Sequence, residues 1–89
     1  MGVRIFAGNL PWRYSSDDLA ELFAEFGTVE SAEVCRDPIT GRSRGFGFVE
    51  VATRAAALLA IEELDGTECD GRQVNIYRAR SSRRREVSV

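Results

Sequence analysis

The sequence contains no histidine, and its 12 basic residues are all arginine, with no lysine. Without histidine the commonest general base and metal-ligating ring are gone, so histidine-dependent triads and imidazole metal sites are excluded. Cysteine is reduced to Cys35 and Cys69. With no third cysteine they form neither a recognisable zinc pattern nor a disulfide framework, which fits a reducing compartment. No apolar run is long enough to span a bilayer, and Met1-Gly2-Val3-Arg4 leads into a strand-like segment rather than a leader peptide. These absences predict a soluble, cytoplasmic protein that carries no metal or cofactor and does not act at a membrane. The 89 residues, 44% hydrophobic and 29% charged, make one ordinary globular core, too apolar for a disordered chain.

Charge is where the composition becomes informative. The net charge is -2, an unpromising value for a ligand of polyanions, yet its distribution is uneven. Six arginines fall between Arg72 and Arg85 in a window without any acid, whereas Asp17, Asp18, Glu21 and Glu25 crowd one helical pattern and Glu62, Glu63 and Asp65 close another. The chain is polarised rather than acidic throughout.

Arg4 to Leu10 reads as a first strand that ends where Pro11 begins a loop. Ser15-x-x-Asp18 has the form of a capping box, and Leu19, Leu22, Phe23 and Phe26 follow at i, i+3, i+4 and i+7, one apolar stripe of a helix closed by Gly27. Val29 to Arg36 is a second strand. The proline, aspartate and glycine of Asp37 to Ser43 then turn the chain back onto Arg44-Gly45-Phe46-Gly47-Phe48-Val49-Glu50-Val51, the third strand. Thr53 caps a second helix reaching Leu64, with Ala57, Ala60, Ile61 and Leu64 on one side and Gly66 past its end. Asp70-Gly71 turns into a fourth strand, Gln73 to Ala79. Strand-helix-strand-strand-helix-strand is the ferredoxin-like α+β arrangement, βαββαβ, a four-stranded antiparallel sheet of order 4-1-3-2 with both helices on one face.

One sheet face is then left bare, and side-chain alternation says what it carries. Val49 and Val51 must meet the helices, which turns Phe46 and Phe48 outward; Ile5 and Ala7 do the same for Phe6. On their own, two aromatics at period two are more often core, covered by a second chain or a folded-back tail. Exposed rings nonetheless need a purpose, and a base stacked on each contributes about 1 to 3 kcal/mol.

Ile5-Phe6-Ala7-Gly8-Asn9-Leu10 and Arg44 to Val51 together resemble the paired ribonucleoprotein motifs of the RNA recognition motif (RRM) family. The resemblance spans about Arg4 to Arg80 and is closest in kind to the short single-domain bacterial RRM proteins. It implies an RRM domain over residues 1–80 with a short arginine-rich flexible tail at 81–89. By the same resemblance Phe6, Phe46 and Phe48 stack on bases or sugars and Arg44 meets a phosphate; on the fourth strand alternation puts Val74 and Ile76 on one face and Asn75 and Tyr77 on the bare one, where family members contact bases. Arg78 and Arg80 follow where a single strand leaves the sheet, and Arg42 in the hairpin loop is a further phosphate contact. Trp12 is expected to pack against the domain's edge before it touches RNA, and Cys35 has the parity of the bare face. Val51 replaces the motif's closing aromatic on the packing side, while Glu50 and Glu33 bring negative charge beside the binding face.

The function so implied is non-catalytic binding of single-stranded RNA by stacking, in post-transcriptional regulation, with single-stranded DNA a second candidate ligand and no small-molecule substrate. An RRM-like protein-binding module is the alternative. An acyl phosphatase on the same fold fits poorly, since Ala7-Gly8-Asn9 is a weak stand-in for a phosphate loop. Base preference, targets and oligomeric state are not encoded legibly.

Overall fold

The computed structural model describes residues 2–79; Met1, Arg80 and the segment 81–89 lie outside the described residues. The chain runs β1 (Val3–Gly8), α1 (Ser16–Ala24), β2 (Val29–Arg36), β3 (Ser43–Val51), α2 (Arg54–Leu64), β4 (Glu68–Cys69), β5 (Arg72–Gln73) and β6 (Asn75–Arg78). Strands β2-β3-β1-β6 make one antiparallel sheet, the ferredoxin-like order expected. No helix among the described residues is long and apolar enough to cross a membrane.

Each helix starts where the sequence supplies a cap. The Ser15 hydroxyl accepts from the Asp18 amide at 3.2 Å, and the Asp18 carboxylate accepts from the Ser15 amide at 2.9 Å, so the shorter aspartate completes the box as glutamate would. Thr53 accepts from the Ala56 amide at 3.1 Å in the same way. Leu19 and Phe23 of α1, and Ala56, Ala57, Ala60 and Leu64 of α2, are buried with Ile5, Ala7, Val34, Val49, Val51 and Ile76 of the strands and with Val74 between β5 and β6. Both helices therefore cover one sheet face. That is the face Ile5, Ala7, Val49 and Val51 were expected to hold.

The fourth strand differs from its sequence reading. The chain between Leu64 and Ile76 makes a separate two-stranded hairpin, β4-β5, and the sheet strand begins only at Asn75. Asp70 (φ 51°) and Gly71 (φ 83°) both adopt the left-handed conformation, the geometry that lets a two-residue turn close a tight hairpin. Val74 then returns its amide to the Thr67 carbonyl at 2.9 Å, and Asp65 receives the Ile76 amide at 2.8 Å, fixing where β6 enters the sheet.

Tyr14 is the ionisable group most displaced by this packing. Burial first, then a hydrogen bond with the Cys69 thiol and repulsion from Cys69, Asp70 and Asp18, pushes its phenol up to about 12 from 10.0. A raised value favours the folded state below pH 10, and that contribution is lost as the pH climbs toward 12. In a Tyr77→Phe variant, which leaves Tyr14 as the sole tyrosine, an ultraviolet titration is expected to have its midpoint near 12; a midpoint near 10 would refute the packing described.

Candidate nucleic-acid interface

Register brings the aromatic side chains together. Phe6 at the middle of β1 lies opposite Phe48 on β3 and Tyr77 on β6, and Gly8 lies opposite Phe46 and Asn75. Tyr77 and Phe6 are stacked with centroids 4.7 Å apart and planes 24° from parallel; Phe6 and Phe46 follow at 5.8 Å and 26°. Phe48 stands edge-on to both phenylalanines, 70° from Phe6 and 90° from Phe46, at 5.7 and 6.3 Å. Four rings thus form one contiguous array on the sheet face that no helix covers. Phe6, Phe46 and Phe48 are half-buried because they shield one another, and Tyr77 is 54% exposed. A row of near-parallel rings beside solvent is a surface on which flat heterocycles can stack.

Arginines border the array. Arg44 is exposed, with its guanidinium carbon 5.9 Å from the Phe46 centroid. Arg4, which sequence reasoning missed, has its guanidinium carbon 4.3 Å from the Phe48 centroid. Strand parity with Phe6 was the signal that could have found it. Asn75 and Tyr77 are both exposed on the aromatic side. Arg78 is exposed too, but it lies opposite Ile5 in the register and so leaves the edge strand on the helix side, away from the rings. Arg80 lies outside the described residues.

The β2–β3 loop is held by its own groups. Asp37 accepts from the Ile39 and Thr40 amides at 2.8 and 3.1 Å, which lowers its carboxyl below the ordinary value, and Arg36 donates to the Gly41 carbonyl at 3.2 Å. Arg36 is thereby a brace. Arg42 is exposed at the loop's end, with its backbone bonded to Asp37 and Thr40. Trp12 departs from expectation. Its side chain is 68% exposed rather than packed on the domain edge, because Leu10 and Pro11 fill the interior and Arg13 ties the loop to Asp70 at 2.6 Å.

Glu33 lies opposite Phe48 and Glu50 opposite Arg4, so carboxylates border the Phe48 side of the face. Burial, reinforced by Glu33, pushes the Cys35 thiol up, while Arg44 and Arg4 pull it back, consistent with a thiol lying among these charges. Arg72 clasps the end of β1: it donates to Asn9 at 2.7 Å, and Asn9 donates on to the Gln73 carbonyl at 2.7 Å. No group of three or more metal-ligating side chains occurs among the described residues.

A split βαβ sheet with one face covered by helices and the other by rings and arginines defines a nucleic-acid-binding domain of the single-sheet type. A model of the RNA recognition motif family matches residues 5–75, and the chain belongs to that family, whose domains bind RNA and are generally non-enzymatic. It is 48% identical over 84 residues to a chloroplastic 31 kDa ribonucleoprotein of Nicotiana sylvestris, covering 94% of this chain and 27% of the relative. RbpA of a Nostoc strain is 42% identical over 78 residues, 88% of this chain and 76% of its own. Several larger relatives are matched over only 27% to 46% of their length. Among solved structures, the crystal structure of the RNA-binding protein PG1 superposes with a TM-score of 0.86 at 44% identity, covering 89% of this chain and 95% of that one.

Proposed function

We propose that the domain binds single-stranded RNA by laying successive bases across Tyr77, Phe6 and Phe46, with Phe48 closing the array, and that it does so without catalysis as part of post-transcriptional control. The observation that carries this reading is the contiguous array of four rings on the uncovered sheet face. Asn75, at the array's edge, supplies an amide able to donate to and accept from base edges. Arg44 and Arg42 supply charge for phosphates, whereas Arg78, on the helix side of the edge strand, is left out of the contact set. Two free cysteines suit a reducing compartment such as the cytoplasm.

Stacking needs unpaired bases, so a random single-stranded RNA pool should bind and a blunt duplex of equal length should compete poorly. With about three to five phosphate contacts, log affinity against log salt should fall with a slope of roughly -2 to -3.5. Equal affinity for duplex and single strand would overturn the stacking reading. Single-stranded DNA in the same titration measures how much the 2′-hydroxyl matters.

A further inference from the structure

We propose that Arg4 is an RNA-contacting residue, its guanidinium held over Phe48 so that its N–H groups meet a backbone phosphate; the inference rests on reading the aromatic face as the RNA surface. Arg4 shares the outward parity of Phe6, and its register partner on β3 is Glu50. Its guanidinium nevertheless lies over the diagonal neighbour Phe48, 4.3 Å from the centroid, well inside the roughly 6 Å over which a ring attracts a cation.

Three features turn this contact into a binding element. Phe48 is the ring that stands out of the near-parallel row, so the face it gives to Arg4 is not one the row needs for stacking. Arg4 is exposed, and the one ion pair within 4.0 Å among the described residues is Arg13 with Asp70, so no described carboxylate has claimed the guanidinium at that distance. A guanidinium held over a ring still has N–H donors to offer, in the fork that matches two phosphate oxygens, and a side chain already held in place loses less freedom on binding. Position adds a fourth reason. Glu33 and Glu50 border this part of the face, and a phosphate approaching Phe48 would otherwise meet carboxylates alone. Arg4 supplies the positive charge that lets the strand continue past the rings toward β2.

The test compares Arg4→Ala, Arg4→Lys and Phe6→Ala in titrations of the same single-stranded RNA pool at several salt concentrations, with thermal unfolding confirming that each variant is folded. Arg4→Ala should weaken binding about 3- to 10-fold and make the salt slope less negative by about 0.7, one phosphate contact on a single strand. Arg4→Lys should keep the slope, since a point charge remains, yet bind less tightly than the parent because the guanidinium fork is lost. An unchanged affinity and slope in Arg4→Ala overturns the proposal. So does tighter binding, which would mean that Arg4 competes with bases for Phe48. If Phe6→Ala weakens binding and Arg4→Ala does not, only this inference fails; if neither weakens it, the reading of the aromatic face fails as well.

Discussion

Phe6→Ala will weaken binding to single-stranded RNA by about 5- to 150-fold, the equivalent of the 1 to 3 kcal/mol that one base–ring contact contributes. Phe6 is the ring on which the array depends, since Tyr77, Phe46 and Phe48 all lie within 5.8 Å of its centroid. Its removal takes away a stacking partner for RNA and also the neighbour that holds two other rings in plane. The loss should therefore exceed that of Tyr77→Ala, where the deleted ring is 54% exposed at the end of the row and touches Phe6 alone. Phe6→Leu separates burial from stacking: it retains apolar bulk above the sheet, and its binding should fall much closer to alanine than to phenylalanine. Stability provides the control. The core lies on the other face, with Ile5 and Ala7 fully buried on either side of Phe6 in sequence, so the alanine variant should stay folded. Fluorescence anisotropy on a labelled RNA pool measures the effect, and a folded Phe6→Ala protein that binds within twofold of the parent would contradict it.

Those three rings could be located without coordinates because a strand has a period of two and because valines at 49 and 51 must be inside. The same arithmetic placed Asn75 and Tyr77 outside and Val74 and Ile76 within the core, as found. Both helix starts were legible, since Ser15 and Thr53 act through their nearest few residues and such local chemistry survives in a one-dimensional reading. Four features escaped, each for its own reason. The β4-β5 hairpin is made of strands of two residues each, too short to display any alternation, and only its Asp70-Gly71 turn leaves a trace. Arg78 was assigned by its place along the chain, although one step beyond Tyr77 the parity carries it to the helix side. Arg4 reaches Phe48 diagonally across two strands, a relation that depends on register and rotamer together. Trp12 had no periodic neighbour to orient it, and a backbone-anchored loop turned it outward.

Gly47→Ala is expected to destabilise the fold by about 1 to 3 kcal/mol, the usual cost of forcing extra volume into a packed interior. Gly47 faces the helices between Ala7 on β1 and Val34 on β2. A Cβ there would overlap the Glu33 carbonyl oxygen and lie 3.0 Å from both Leu19 Cδ2 and Val34 Cα. Two of those atoms are backbone and cannot swing aside; the third belongs to the fully buried residue by which α1 rests on the sheet. In a domain of this size each 1 kcal/mol lowers the melting temperature by roughly 4 to 8 °C, so the change is easily seen in a thermal or urea melt. Gly45 is the informative comparison. It sits two residues earlier in the same strand and meets no atom within 4 Å, but its φ of 83° lies in the left-handed region. Gly45→Ala should cost about 1 to 2 kcal/mol from backbone strain, and Gly45→Asn less, since asparagine tolerates that conformation. No such rescue is open at Gly47, where Asn would worsen the overlap. Equal losses for Gly47→Ala and Gly47→Asn, or an alanine variant as stable as the parent, would show that α1 does not rest on this strand as described. Gly47 thus reports on the packed face of β3, opposite the face that carries Phe46 and Phe48.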